Sequence, residues 1–368
     1  MKKVFWHFLS NRWNSAITEY AVSCARATEL LGSDVHFFPL QGSPAEKRLA
    51  GLLPLSGITH FGLSSLPKLM RVARDARPDV IFTYGGPETV IAGIIGRAVG
   101  SKVVRFRGEA MRSQSRVYAL RQRLAMNTVD LVFAPSERLA GELKSLGTRT
   151  PVELVTLGCD TSRFKRPASL SLTKESRPKL VIFGRLDPIK GHSSMIHLMA
   201  RVLKQWGDLP ERPTLHIVGE PANVTVAALE LETRKAGLRV GDDVMFHSVR
   251  VQDVAGLLAS TTLGVVPSLG SEIICRVAEE FLLCGTPVAV SGAGSLSEVL
   301  FDSAGFCFGG ISEDAAVAEF IKWIRRSFHE SEEIKLARAF HARALFSLEA
   351  MADRLTTVIR SHFGQDFV

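Results

Sequence analysis

Short apolar runs alternate along this chain with longer segments of helical period. KKVFWHFL, DVHFFPL, DVIFTYG, SKVVRFRG, DLVFAPS and PVELVTLG are apolar without strict alternation, as strands buried on both faces are. Between several of them, ITEYAVSCARATELLG, PETVIAGIIGRAVG and SERLAGELKSLG place apolar residues at helical spacing. Each closes on glycine, which accepts the left-handed turn that ends a helix. Strand–helix–strand alternation predicts βαβ units and a parallel sheet covered by helices. The pattern breaks at 160–177, DTSRFKRPASLSLTKESR, a polar stretch containing Pro167 that reads as a linker. It then restarts with KLVIFG, a helix over His192–Trp206, TLHIVG, a helix near Val226–Ala236, DVMFHS, a short helix over Asp253–Ala259, LGVVPS and PVAVSG. From Glu313 the chain is largely helical and charged. The expected architecture is α/β: two Rossmann-like parallel α/β domains facing across a cleft, with the chemistry just beyond the carboxyl ends of strands.

Composition narrows the class. Apolar residues make up 46% and charged residues 22%, which predicts packed cores and no extended disorder. The five cysteines form no CxxC pair, so neither a disulfide framework nor a thiolate zinc site is expected, and a reducing, cytoplasmic setting fits. MKKVFWHFL reads as a first buried strand and not as a signal peptide. No window approaches the ~18 continuous apolar residues of a membrane span. The net charge of +8 is uneven: up to Arg166 there are 24 Lys/Arg against 13 Asp/Glu, and beyond it 21 against 24. A basic first half suits an anionic partner, whether membrane surface, phosphorylated glycan or nucleic acid, or simply keeps the protein soluble. No basic-and-aromatic stripe favours nucleic acid.

Three strand ends carry candidate chemistry. After LVIF, Gly184 lets the chain turn off the strand, and Arg185 and Lys190 flank the entry to the next helix, where both can reach one anionic group such as a diphosphate. Surface salt bridging is the plainer use of the same two cations. After TLHIV comes Gly219. After LGVV comes GSEIICRVAEEFLLCGTPVAV, Gly270–Val290, an apolar stretch with three glutamates. Its helix, from about Arg276, offers unpaired amides and a dipole to an anion. Glu272 in the loop and Glu280 in the helix can border one pocket and accept bonds from sugar or ribose hydroxyls. Glu279 should diverge by about 100° and face solvent or a surface cation.

These segments together resemble the GT-B glycosyltransferases of the family 4 type. FGRLDPIKG, HIVGE, FHSVRVQDVAGLLASTTLGVVPS and SEIICRVAEEFLLCGTPVAV, with the E-x7-E spacing Glu272/Glu280, carry the likeness in order. TYGGPETVIAGIIGRAVGSKVVRFRGE, DLVFAPSERLAGEL and VELVTLGCDTSRFKRP extend it through the first half, and FSLEAMADRLTTVI resembles the family's closing helix. The resemblance implies an acceptor domain over 1–165, rejoined by a C-terminal helix over 350–368, and a donor domain over 166–349. It implies a retaining hexosyl transfer from a UDP- or GDP-sugar, with no metal and no cofactor beyond the nucleotide-sugar. Arg185 and Lys190 would neutralise the leaving diphosphate, and Glu272 would lie near the donor sugar. Glu280 would bind the ribose, and Gly184, Gly219, Ser271, Ile273 and Ile274 would line the donor site.

The departures fall at the loops. A glycine-rich Glu-Gly-Phe-Gly loop in the family is Glu272-Ile273-Ile274-Cys275 here. Paired glycines after the first strand are Ser10–Ser15 here, including Asn14, and a family His-Gly is Arg107-Gly108-Glu109. Asn14, Arg107, Gly108 and Glu109 are the expected acceptor-binding residues. The acceptor expected from the basic first half is a cell-envelope glycolipid of lipopolysaccharide type at an anionic membrane surface, with peripheral attachment and no nucleic acid. A nucleotide-sugar epimerase of the same fold and a non-catalytic sugar-nucleotide-binding protein are the rival expectations.

Overall fold

The buried runs build two separate parallel sheets in the computed structural model. It describes residues 2–367 apart from 14, 52, 56, 59, 110–114, 168–175, 208, 249, 250, 271 and 275. The chain divides into two compact units, one of Met1–Asp160 with Phe346–Val368 and one of Thr161–Leu345.

In the first unit the order is β1 (Val4–Leu9), α1 (Ala16–Leu30), β2 (Asp34–Pro39), α2 (Pro44–Leu49), α3 (Leu66–Ala76), β3 (Val80–Thr83), α4 (Gly86–Val99), β4 (Lys102–Phe106), α5 (Arg116–Met126), β5 (Leu131–Ala134), α6 (Glu137–Lys144) and β6 (Val152–Leu154). The sheet order is β2-β1-β3-β4-β5-β6, all parallel. Phe5, Phe8, Ile81, Phe82, Val104, Phe106, Val132 and Phe133 are almost wholly buried. Sheets covered on both faces require such side chains.

In the second unit the order is β7 (Lys179–Phe183), α7 (His192–Trp206), β8 (Thr214–Val218), α8 (Val226–Lys235), β9 (Val244–His247), α9 (Val254–Ala259), β10 (Leu263–Val266), α10 (Arg276–Leu283), β11 (Val288–Val290), β12 (Gly305–Cys307), α11 (Glu313–Phe328) and α12 (Glu332–Phe346). Its sheet runs β12-β11-β10-β7-β8-β9, again parallel. That is the doubly wound Rossmann order, in which the strand sequence reverses between β7 and β10. Leu180, Ile182, Met195, Met199, Leu215, Ile217, Leu263 and Phe320 centre its core.

The last helix, α13 (Leu348–Phe363), packs on α1 of the first unit. A parallel bridge pairs Cys159 with Ser347, and the Cys159 amide donates to Phe346 O at 2.7 Å.

The unit boundaries lie a few residues ahead of the sequence-based ones at 165/166 and 349/350, and the start of the supposed linker has a partner. Arg166 is buried in the second unit. It donates to the carbonyls of Ala259 and Cys284 and forms a two-point ion pair with Glu332. Polar composition alone could not separate this buried cation from a solvated one. Among the described residues no helix is long and apolar enough to cross a membrane.

Candidate active site

Close backbone approaches fix the strand ends of the second unit. Gly184 follows β7 at φ +154, and a Cβ added at Gly219, after β8, would lie 1.8 Å from the Gly184 carbonyl oxygen. Gly191, at φ +70, would place a Cβ 2.0 Å from the carbonyl oxygen of Pro267, after β10. Only glycine fits either place, so the loops after β7, β8 and β10 meet backbone to backbone.

The loop between Gly184 and Gly191 is ordered by its own polar groups. The carbonyl of Leu186 accepts from the amides of Ala222, Asn223 and Val224, while its amide donates to Glu220 O. Asp187 accepts from the Ile189 amide at 3.1 Å and from Asn223 Nδ2 at 2.6 Å. These donors hold its carboxyl below the usual range, the Asn223 bond contributing most. This frame presents Arg185 as an exposed guanidinium that makes no hydrogen bond or ion pair among the described residues.

Lys190 is partnered differently. Its Nζ donates to Glu272 Oε1 at 2.5 Å, and Ser268 Oγ donates to the same oxygen at 2.6 Å. Glu272 is buried. Its backbone is pinned too: Glu272 O accepts from the Ser295 amide at 2.7 Å, and a Cβ at Gly294 would come within 2.0 Å of it. Both ends of this residue are therefore fixed. The amides of Ile273 and Ile274 donate to no described group, and they precede the amino end of α10. A lysine, a free arginine, two open amides and a helix amino end all follow β7 and β10, where the strand order reverses. Cations, open amides and a helix amino end together offer the charge and donors that suit an anionic group.

Glu280 is buried within α10 and accepts from Arg276 Nε at 2.7 Å. Glu272 and Glu280 thus each have a cation of their own. Glu279 corrects the expectation of a surface charge: it is only 4% exposed. Every residue from Ala278 to Leu283 is buried, so α10 has no solvent-facing side there for Glu279 to occupy. Ser271 lies outside the described residues, as does Cys275.

The expected acceptor residues follow β4 in the first unit. Arg107 is buried and its amide donates to Phe133 O at 2.8 Å, while Gly108 and Glu109 are half-buried. Asn14 lies outside the described residues. The strand order of this sheet reverses between β1 and β3, one strand away from Arg107. There the sequence reading missed Glu88. This fully buried residue at the third position of α4 accepts from the Ser10 amide at 3.2 Å, tying the loop after β1 to the helix after β3. Burial pushes its carboxyl above the usual range. The pattern G-G-P-E, with glutamate three residues past a helix cap, was the signal available.

Comparison with known proteins agrees with this division. The model of the glycosyl transferase 4-like domain matches residues 15–158, and that of the glycosyl transferases group 1 matches residues 177–326. A D-inositol 3-phosphate glycosyltransferase of Geodermatophilus obscurus is 29% identical over 250 residues, 66% of this chain and 53% of that protein. The chain spans about half the length of the curated relatives it matches. Among solved structures, Anabaena Alr3699/HepE in complex with UDP superposes with a TM-score of 0.78 at 20% identity, over 98% of this chain and 100% of that one. A glycosyltransferase from Rickettsia africae gives a TM-score of 0.80 at 13% identity, over 98% of each chain. At these identities the structures speak for the fold. Two Rossmann-like units, each under its own family model, show that the chain belongs to the GT-B glycosyltransferases of the group 1 and 4-like type.

Proposed function

We propose that the protein is a retaining hexosyltransferase that uses a UDP- or GDP-sugar without a metal and acts on an anionic cell-envelope glycolipid of lipopolysaccharide type. The observation that carries this reading is the set of cations at the strand-order reversal of the second unit: Arg185 unpaired, and Lys190 in contact with Glu272. Transfer separates a sugar of oxocarbenium character from a departing diphosphate. Charge on that diphosphate grows as the bond breaks, so fixed cations lower the barrier more than they tighten ground-state binding. Arg185, Lys190, the amides of Ile273 and Ile274 and the α10 amino end take that role together. Gly184 and Gly219 leave room for the diphosphate, and Ser271 belongs to the same loop. Cations and amides supply the charge that a metal would otherwise bring.

Glu272 faces the donor sugar in this reading. A donor diphosphate competes with it for Lys190, and Ser268 then retains the carboxylate while its free lone pairs accept sugar hydroxyls. Glu280, held in place by Arg276, takes the ribose hydroxyls. Arg107, Gly108, Glu109 and Asn14 receive the acceptor. The relatives named for inositol 3-phosphate favour a phosphorylated polyol as a second acceptor class, which a buried arginine after β4 also suits.

Calorimetric titration with UDP, GDP and ADP in EDTA tests the donor half. One diphosphate should bind, and Lys190→Ala should weaken it about ten- to hundredfold, the worth of a charge-assisted contact to phosphate. Absence of binding by all three would overturn the reading in favour of a chain that no longer uses nucleotide sugars. Release of an epimerised sugar without any acceptor would overturn it in favour of an epimerase.

A further inference from the structure

The net charge of the chain is concentrated in one stretch. Residues 66–126 hold 12 Lys/Arg and four Asp/Glu, an excess of eight that equals the +8 of the whole chain, so all other residues together are neutral. The stretch contains α3, α4, β4 and α5. The crossovers from β2 to β3, β3 to β4 and β4 to β5 all advance the same way across the sheet. Right-handed crossovers therefore put α3, α4 and α5 on one face and α1 on the other. Contact between α3 and α4, and between α1 and α13, agrees with that placement.

On this face Lys68, Arg71 and Arg74 of α3, Arg97 of α4, and Arg116 and Arg123 of α5 are exposed and make no ion pair or hydrogen bond among the described residues. Helix α5 adds an apolar stripe. Val117, Leu120 and Leu124 are 64%, 55% and 58% exposed. At about 100° per residue they fall within roughly 60° of arc, with Arg116 and Arg123 along one flank. Val72 and Val90 add exposed apolar area on α3 and α4. Aliphatic side chains bordered by unpaired arginines suit the boundary between headgroups and acyl chains. A second copy of the chain is disfavoured, because a twofold contact would set this cationic face against itself. A nucleic acid would use the cations but gain nothing from an aliphatic stripe, which cannot stack on bases.

We propose that the α3–α5 face docks on an anionic lipid bilayer, with the Val117/Leu120/Leu124 stripe entering the interface and the six cations resting on the headgroups. This rests on the proposed function for the idea that the acceptor is a lipid, and it gives that lipid's membrane a place on the protein.

The test is flotation of the whole chain with vesicles of phosphatidylcholine alone or with 30% phosphatidylglycerol by design, about one anionic lipid in three, at low and high salt and without donor. Binding should require phosphatidylglycerol and fall as salt rises. Leu120→Asp/Leu124→Asp and Arg116→Gln/Arg123→Gln should each lower the partition constant about tenfold or more, while Leu231→Asp on α8 should leave it unchanged. Unaltered circular dichroism and donor-diphosphate binding would confirm that each variant is folded. Binding independent of phosphatidylglycerol, or unchanged from the wild type in both double variants, would overturn the proposal. So would salt-sensitive capture of an RNA duplex, unaffected by the two leucine changes, in place of vesicle binding. Because vesicles are tested without donor, failure here leaves the transferase reading standing. Loss of diphosphate binding with vesicle binding intact would do the reverse.

Discussion

The two sheets reverse their strand order in different places and secure those places by different means. In the second unit backbone meets backbone: Gly191, in the loop after β7, on Pro267, after β10, at the reversal, and Gly219 on Gly184 at the neighbouring ends of β8 and β7. In the first unit, between β1 and β3, a side chain makes the closure, with Glu88 reaching the Ser10 amide. A backbone contact admits no substitution, whereas a side-chain contact changes with a single residue. A group shared by every donor, the diphosphate, suits the first arrangement. Acceptors that differ between enzymes suit the second. The difference fits the division of roles proposed above and gives it a physical basis.

The largest expected effect tests that difference directly. Gly219→Ala and Gly191→Ala should each destabilise the second unit by about 3 kcal/mol or more, because main-chain atoms must move. Gly85→Ala should cost roughly 1 kcal/mol, since its Cβ meets the end of the Glu88 side chain at 2.8 Å and that side chain can shift. Urea unfolding of the three variants compares them, and equal losses would remove the distinction.

A pH effect comes next and belongs to the first unit. His7 is wholly buried, between Tyr84 Oη at 2.7 Å and Thr28 Oγ1 at 3.0 Å, and burial lowers its pKa to about 3. The unfolded chain therefore binds a proton that the folded chain refuses between about pH 6.5 and 3. Stability is full above that window and should fall by up to about 1.4 kcal/mol per pH unit as pH drops through it. His7→Gln should flatten this slope in unfolding curves taken between pH 7 and 5. An unchanged slope would assign the acid sensitivity to other groups, such as His216 in the second unit, whose pKa burial also lowers to about 3.

The smallest effect has the opposite sign. The carboxyl of Glu88 is raised, so its contribution declines as pH climbs above the ordinary carboxylate range. Glu88→Gln keeps an oxygen for the Ser10 amide and removes the buried charge. It should gain up to about 1 kcal/mol at pH 8 and less at pH 5. A loss at both values would mean that the charged form is needed.

Much of the architecture was legible because a parallel sheet buried on both faces leaves near-continuous apolar runs, as in KLVIF and LGVV. Helix α7 spans His192–Trp206 as the periodicity predicts, and α10 begins at Arg276. Helices α3 and α5 were not singled out. The apolar stripe of α5 faces outward, and periodicity reports that a stripe exists without saying which way it points. Glu88 and Glu279 show a second limit. Whether a carboxylate is buried depends on what distant segments bring to it, and neither the Ser10 amide nor the packing around α10 can be read from neighbouring residues. The third limit is strand order. Both halves read as βαβ repeats, yet one sheet has the β2-β1-β3 arrangement and the other the Rossmann one, because order depends on which edge each new strand joins.

The bond from the Ser295 amide to Glu272 O gives a distant loop a hold on the proposed donor pocket. Residues 292–295 follow β11 and have no assigned part in chemistry, yet they set the height of the chain beneath that carboxylate. With Glu272 in its proposed place beside the donor sugar, divergent copies of such an enzyme would gain new sugar preferences through changes in this loop while every residue of the proposed pocket stays the same. A search for specificity determinants limited to the pocket wall would overlook them.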